Sequence, residues 1–73
     1  MAHQAFDYQS TMDSIRDGAT RLAVQATSLD LSDRWLRLQL AKLIRQPFIH
    51  RWHGDQQLEL RIPRANAHWF INL

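Results

Sequence analysis

Apolar side chains recur at alternating intervals of three and four at Ala5, Tyr8, Met12, Ile15, Ala19, Leu22, Ala26 and Leu29. A helix turning about every 3.6 residues brings them onto one side and leaves Asp13, Arg16, Asp17, Arg21 and Gln25 in water. The pattern predicts a helix over 10–28, with two competing starts. Ser10-Thr11-Met12-Asp13 resembles a capping box, yet the seam already runs from Ala5. Gly18 costs about 1 kcal/mol inside a helix, but small residues at 18, 19, 23 and 26 let a neighbouring backbone come close. Asp17 and Arg21 form a candidate i,i+4 pair on the wet face. The seam needs a partner, either this chain's own domain or a second copy in a homodimer, and the first nine residues are either helical or flexible.

A second helix is predicted over 33–46. Asp30 or Ser32 can cap it, Asp33 suits the positive end of its dipole, and Pro47 stops it. Leu36, Leu40, Leu43 and Ile44 share one side; Arg34, Arg37, Ala41, Lys42 and Arg45 share the other. Trp35 and Leu38 project to the cationic flank, where a contact patch ringed by Arg34, Arg37, Lys42 and Arg45 is expected. The competing expectation is that the sheet covers Trp35.

After Pro47 the period drops to two. Phe48, His50 and Trp52 alternate with Ile49, Arg51 and His53, then Leu58, Leu60 and Ile62 with Gln57, Glu59 and Arg61. A hairpin follows, and its register can be argued from its faces. A two-residue loop at Gly54-Asp55 would set Arg51 against Leu58. A three-residue loop that includes Gln56 sets Trp52 against Leu58, Phe48 against Ile62 and Arg51 against Glu59, which satisfies both faces and predicts an Arg51–Glu59 ion pair. Pro63 ends that strand, Arg64-Ala65-Asn66 turns, and 68–73 reads as a third strand with Trp69, Ile71 and Leu73 on one face and Phe70 on the other. The expected fold is α+β, two helices packed on a three-stranded antiparallel β-meander in one domain spanning 1–73.

Composition narrows the class. A chain of 73 residues without cysteine buries only about 60% of the surface its unfolded form exposes and has no disulfide staple. No stretch approaches the roughly 18 apolar residues of a membrane span, and the first residues lack the order of a secretory signal. The expectation is a soluble cytoplasmic protein, in the host cytoplasm if a phage encodes it. Net charge is +2, unevenly spread. Residues 1–31 carry four Asp against Arg16 and Arg21; residues 32–73 carry seven Arg or Lys against Asp33, Asp55 and Glu59. A basic second half fits an acidic protein, a nucleic acid, or attraction between the two halves of one fold.

Catalytic chemistry finds little to hold. His50 and His53 fall on opposite faces of a strand and cannot share a metal, while His3 and His68 add no spacing. Asp13 and Asp17 sit one turn apart but beside Arg16 and Arg21, as on a solvated face. Gly18 and Gly54 are the only glycines, so no phosphate loop exists, and Ser10, Thr11, Ser14, Ser28 and Ser32 have no positioned base in the local sequence. The expectation is a protein that is not an enzyme and uses neither metal nor cofactor. Two binding readings remain. In one, Arg51, His53, Arg61 and Arg64 on the hairpin contact RNA or DNA, with Trp52, Trp69, Phe70 or His53 stacking on bases; a helix before a basic hairpin evokes a winged helix, although its third helix is missing. In the other, the chain docks on a much larger protein through the flank bearing Trp35 and Leu38.

In length, helix-rich first half and basic second half, the chain resembles the small bacteriophage regulators of host RNA polymerase that inhibit transcription and promote antitermination. Phage inhibitors of other host complexes, including those that block CRISPR complexes, share that description. The resemblance carries no motif and transfers no residue. What it implies is binding to bacterial RNA polymerase near the RNA exit channel, inhibition of sigma-dependent initiation, and antitermination.

Overall fold

A computed structural model describes residues 7–73. Ala5 of the seam, His3, and the alternative between helix and flexible tail for residues 1–6 lie outside the described residues. The elements run α1 (Tyr8–Ser28), α2 (Asp33–Ile44), β1 (Ile49–His53), β2 (Gln57–Ile62), a 3-10 turn (Pro63–Ala65) and β3 (Ala67–Asn72). The sheet is an antiparallel meander in the order β1-β2-β3. The α+β plan of two helices and three strands therefore stands.

The first helix starts at Tyr8, two residues before the predicted 10. Asp7, rather than Ser10, is the cap, its side chain accepting the Ser10 N–H at 3.0 Å. Met12, Ile15, Ala19, Ala23 and Ala26 are its buried residues. The seam is thus narrower than its spacing, since Leu29 lies past the last turn as C-cap and is 61% exposed. Asp17 and Arg21 do not pair; Asp13 instead takes Arg16 at 3.6 Å and Gln9 at 3.0 Å.

The second helix opens as predicted, with the Ser32 hydroxyl accepting the Trp35 N–H at 3.1 Å. It closes at Ile44, two residues before the predicted 46. Arg45 turns left-handed (φ 59°) and donates its N–H to the Ala41 carbonyl, because Gln46 precedes Pro47 and is pushed out of helical geometry. The two helices approach closely where Gly18 meets Leu43. A Cβ at 18 would come within 2.9 Å of a Leu43 methyl.

In the sheet, Trp52 pairs with Leu58, Arg51 with Glu59 and His53 with Gln57, the register of a three-residue connection over 54–56 with Gly54 at φ 64°. Phe48 stays outside β1, half-buried against the core. The third strand begins one residue early, at Ala67, and Leu73 has left it, though its N–H still reaches the Gln56 carbonyl at 2.8 Å. Leu58, Leu60, Ile62, Ala67 and Ile71 turn inward to meet Leu36, Leu40 and Ile44 of α2 and the buried stripe of α1. Each fully buried Leu or Ile stabilises the fold by about 1.5–3 kcal/mol. Both helices thus share one core with the inner sheet face, and the Tyr8 hydroxyl, donating to the Ala65 carbonyl, ties the start of α1 to the turn before β3.

Candidate functional site

Two surfaces stand out. The first is the outer side of α2. Leu38 is 54% exposed, and Arg34, Arg37, Lys42 and Arg45 are exposed around it. The guanidinium of Arg37 lies over the Phe48 ring, 5.2 Å from its centroid, a cation–π contact. Lys42 and Arg45 stand at the carbonyl end, where the dipole favours positive charge.

Trp35 does not anchor this surface as an exposed residue. It is half-buried and packs against the core cluster. A helical projection at 100° per residue places a Cα, but an indole on the margin between wet and dry sides reaches back over the core edge. The exposed patch therefore consists of Leu38 and its four cations, while Trp35 packs against the core.

The second surface is the outer face of the sheet, on the side away from the helices. Arg51 and His53 of β1, Glu59 and Arg61 of β2, and His68 and Phe70 of β3 all point there by the alternation of the strands. Arg51, Glu59 and Phe70 form one cross-strand row, and Arg61 stands beside His68 in the next. The predicted Arg51–Glu59 ion pair does not form. Glu59 gives one oxygen to His53 Nε2 and the other to His68 Nε2, each at 2.7 Å, so both imidazoles carry their donor proton on Nε2. Those two hydrogen bonds, His53 first, hold the Glu59 carboxyl below its ordinary value, with the imidazole charges adding to them and partial burial opposing them.

Phe70 stands over this cluster, 52% exposed, its ring centroid 5.0 Å from His68 and 5.9 Å from His53. Trp52 and Trp69, expected among the base-stacking candidates, lie on the opposite face and are half-buried against the core. Arg64 is exposed on the 3-10 turn rather than on the hairpin. Of the hairpin set, Arg51, His53 and Arg61 share one surface. Sequence reasoning missed the joining of His53 and His68, although carrying the register argument into the third strand would have set Phe70 opposite Glu59.

A third feature was not foreseen. Asp33, in the first turn of α2, accepts from His50 Nε2 at 3.0 Å and from Trp52 Nε1 at 3.2 Å, stitching the helix start to β1. The His50 side chain is only 8% exposed, and its Nδ1 has no hydrogen-bond partner. Beside this knot lies a 480 Å³ cleft lined by Asp30, Asp33, Asp55, Thr27, Ser32 and Trp52 among others. Ser32 on its lining accepts the Trp35 N–H at the cap of α2. Among the described residues no group of three or more His, Asp or Glu is placed to hold a metal ion, and no helix is long and apolar enough to cross a membrane. Comparison with known protein families, with curated proteins and with solved structures returns no match to this chain.

Proposed function

We propose that this chain is a small non-enzymatic regulatory protein that acts by docking the outer face of α2 on a large protein partner, bacterial RNA polymerase. The observation that carries the reading is Leu38. A leucine more than half exposed among four cations has no role in the chain's own core, whereas an apolar contact inside a charged ring is how protein interfaces concentrate binding energy. Such a surface suits a partner that offers a small apolar notch within an acidic rim. Arg45 adds weight, because it occupies a left-handed position that glycine would fill with less strain. Polymerase as partner rests on the resemblance in length and plan to small phage regulators of that enzyme, which also implies inhibited initiation and antitermination.

The test is transcription in vitro with purified bacterial RNA polymerase. Sigma-dependent initiation should fall and readthrough of an intrinsic terminator should rise as the protein is added. Reversing Arg37 and Lys42 to Glu should weaken both effects, most strongly at low salt, where surface charge is least screened. Unchanged initiation and unchanged readthrough at saturating protein would remove polymerase from the account.

A further inference from the structure

The outer face of the sheet is a separate surface from α2, because both helices and the core lie on its other side. We infer that this face binds single-stranded nucleic acid, with Phe70 as the platform on which a base stacks and Arg51 and Arg61 as the contacts for the flanking phosphates.

Phe70 is an aromatic ring more than half exposed on an ordered strand, and its neighbours are histidines rather than aliphatic side chains. An apolar protein partner would want a continuous greasy patch, yet among the described residues the only other large apolar one exposed on this face is Ile49. A planar ring between imidazoles, rimmed by guanidiniums, matches instead the alternation of base and phosphate along a single strand. Among the described residues neither Arg51 nor Arg61 forms an ion pair. Both guanidiniums are free for an anion.

Among the described residues Glu59 is the one acid on this face, and it would oppose a polyanion if left open. The His53 and His68 clasp occupies both of its oxygens and leaves its side chain only 22% exposed. The clasp also holds the two imidazoles beside Phe70. Further along, Gln57 donates to Asn72 at 2.9 Å, presenting an amide pair of the kind that reads base edges. Strands rising about 3.3 Å per residue and lying about 4.8 Å apart give a face long enough for about two to four nucleotides. A duplex is a poorer fit. Its bases are stacked inside, and this flat face offers neither a helix nor a ribbon to enter a groove.

The experiment is fluorescence anisotropy of labelled 15-mers (oligo-dT, oligo-U and a mixed-sequence duplex) against the whole chain at 50 mM salt. Both single strands should bind and the duplex should bind at least about tenfold more weakly. The logarithm of affinity should fall with that of salt with a slope near −1.4, from about 0.7 per phosphate contact. Phe70→Ala should cost about ten- to a hundredfold, Phe70→Leu nearly as much, and Arg51→Ala with Arg61→Ala should flatten the salt slope. All these side chains are exposed, and a thermal melt of each variant checks that it is folded. Leu38→Ala should leave oligonucleotide binding unchanged, so failure here and failure of polymerase docking are read separately. The inference is overturned by any of four results: no single-strand binding, equal or tighter duplex binding, full affinity in Phe70→Ala, or a concentration-dependent dimer that Phe70→Ala dissolves, which would give the face to a second copy of the chain.

Discussion

Gly18 of α1 faces Leu43 of α2 so closely that the space for a Cβ at 18 is already taken by the leucine methyls, the nearer at 2.9 Å. The helix thus accepts a glycine in its interior in exchange for close packing. Gly18→Val should destabilise the protein by about 1–3 kcal/mol through overpacking. Gly18→Ala should come out near neutral, because a helix-propensity gain of about 1 kcal/mol offsets the strain. Urea melts measure both, and a valine variant as stable as the parent would mean that the helices do not meet here.

Asp33 fastens the start of α2 to β1. Removing its carboxylate leaves the His50 Nε2 donor, on a side chain 8% exposed, and the Trp52 Nε1 donor without their acceptor. Asp33→Ala should cost about 1–2 kcal/mol, most of it for the stranded donors and a few tenths for the helix dipole. In a domain of this size that lowers Tm by several degrees, since each 1 kcal/mol is worth about 4–8 °C. Asp33→Asn keeps an acceptor and should recover much of the loss. Equal melting of parent and alanine variant would show that the knot contributes nothing.

Glu59 makes stability depend on pH. Its carboxyl is more acidic in the fold than the ordinary value of 4.5, so the unfolded chain binds the proton more readily. The contribution is complete above that value and is lost as pH falls through the lowered folded one. Arg51 of β1, facing it across the ladder, Arg61 two residues along its own strand and the two imidazoles are the groups around it, with Phe70 alongside. Between about pH 5 and pH 3 the Tm of the parent should fall more steeply than that of Glu59→Gln. Parallel slopes would sever the link between the clasp and stability.

Arg45 separates stability from function. At φ 59° an L-residue is strained by about 1 kcal/mol relative to glycine, so Arg45→Gly should gain roughly 0.5–1 kcal/mol once the lost dipole interaction is deducted. The same variant should bind the protein partner less well. A glycine variant that is less stable, or that binds as the parent does, would make Arg45 an ordinary helix cap.

Much of the fold is written locally in the chain. Ser32 and Asp33 announce the second helix, and the alternation through Trp52, Leu58, Arg51 and Glu59 admits only one register. What escaped reading depends on distances that no short window contains. His53, Glu59 and His68 come from three strands, and their meeting requires the β2–β3 register, which the Pro63–Ala65 turn helps to set. Trp35 sits on the boundary of its helix, where the reach of the side chain rather than the backbone angle decides burial. Leu29 keeps the seam's spacing but loses its partner because the helix has already ended. The exposed patch on α2 was legible in its cations and Leu38, while the aromatic centre of the sheet face was visible only as an unexplained Phe70.

The central claim is that Leu38 and its cations grip a protein partner. The most direct measurement is nuclease-treated binding of purified bacterial RNA polymerase to the immobilised chain, comparing the parent with Leu38→Asp. Leu38 is exposed, so the variant should fold, which a thermal melt verifies. The account predicts saturable binding by the parent and a loss of at least about tenfold, some 1.4 kcal/mol, in Leu38→Asp. Equal binding by the two proteins, or none by either, would contradict it.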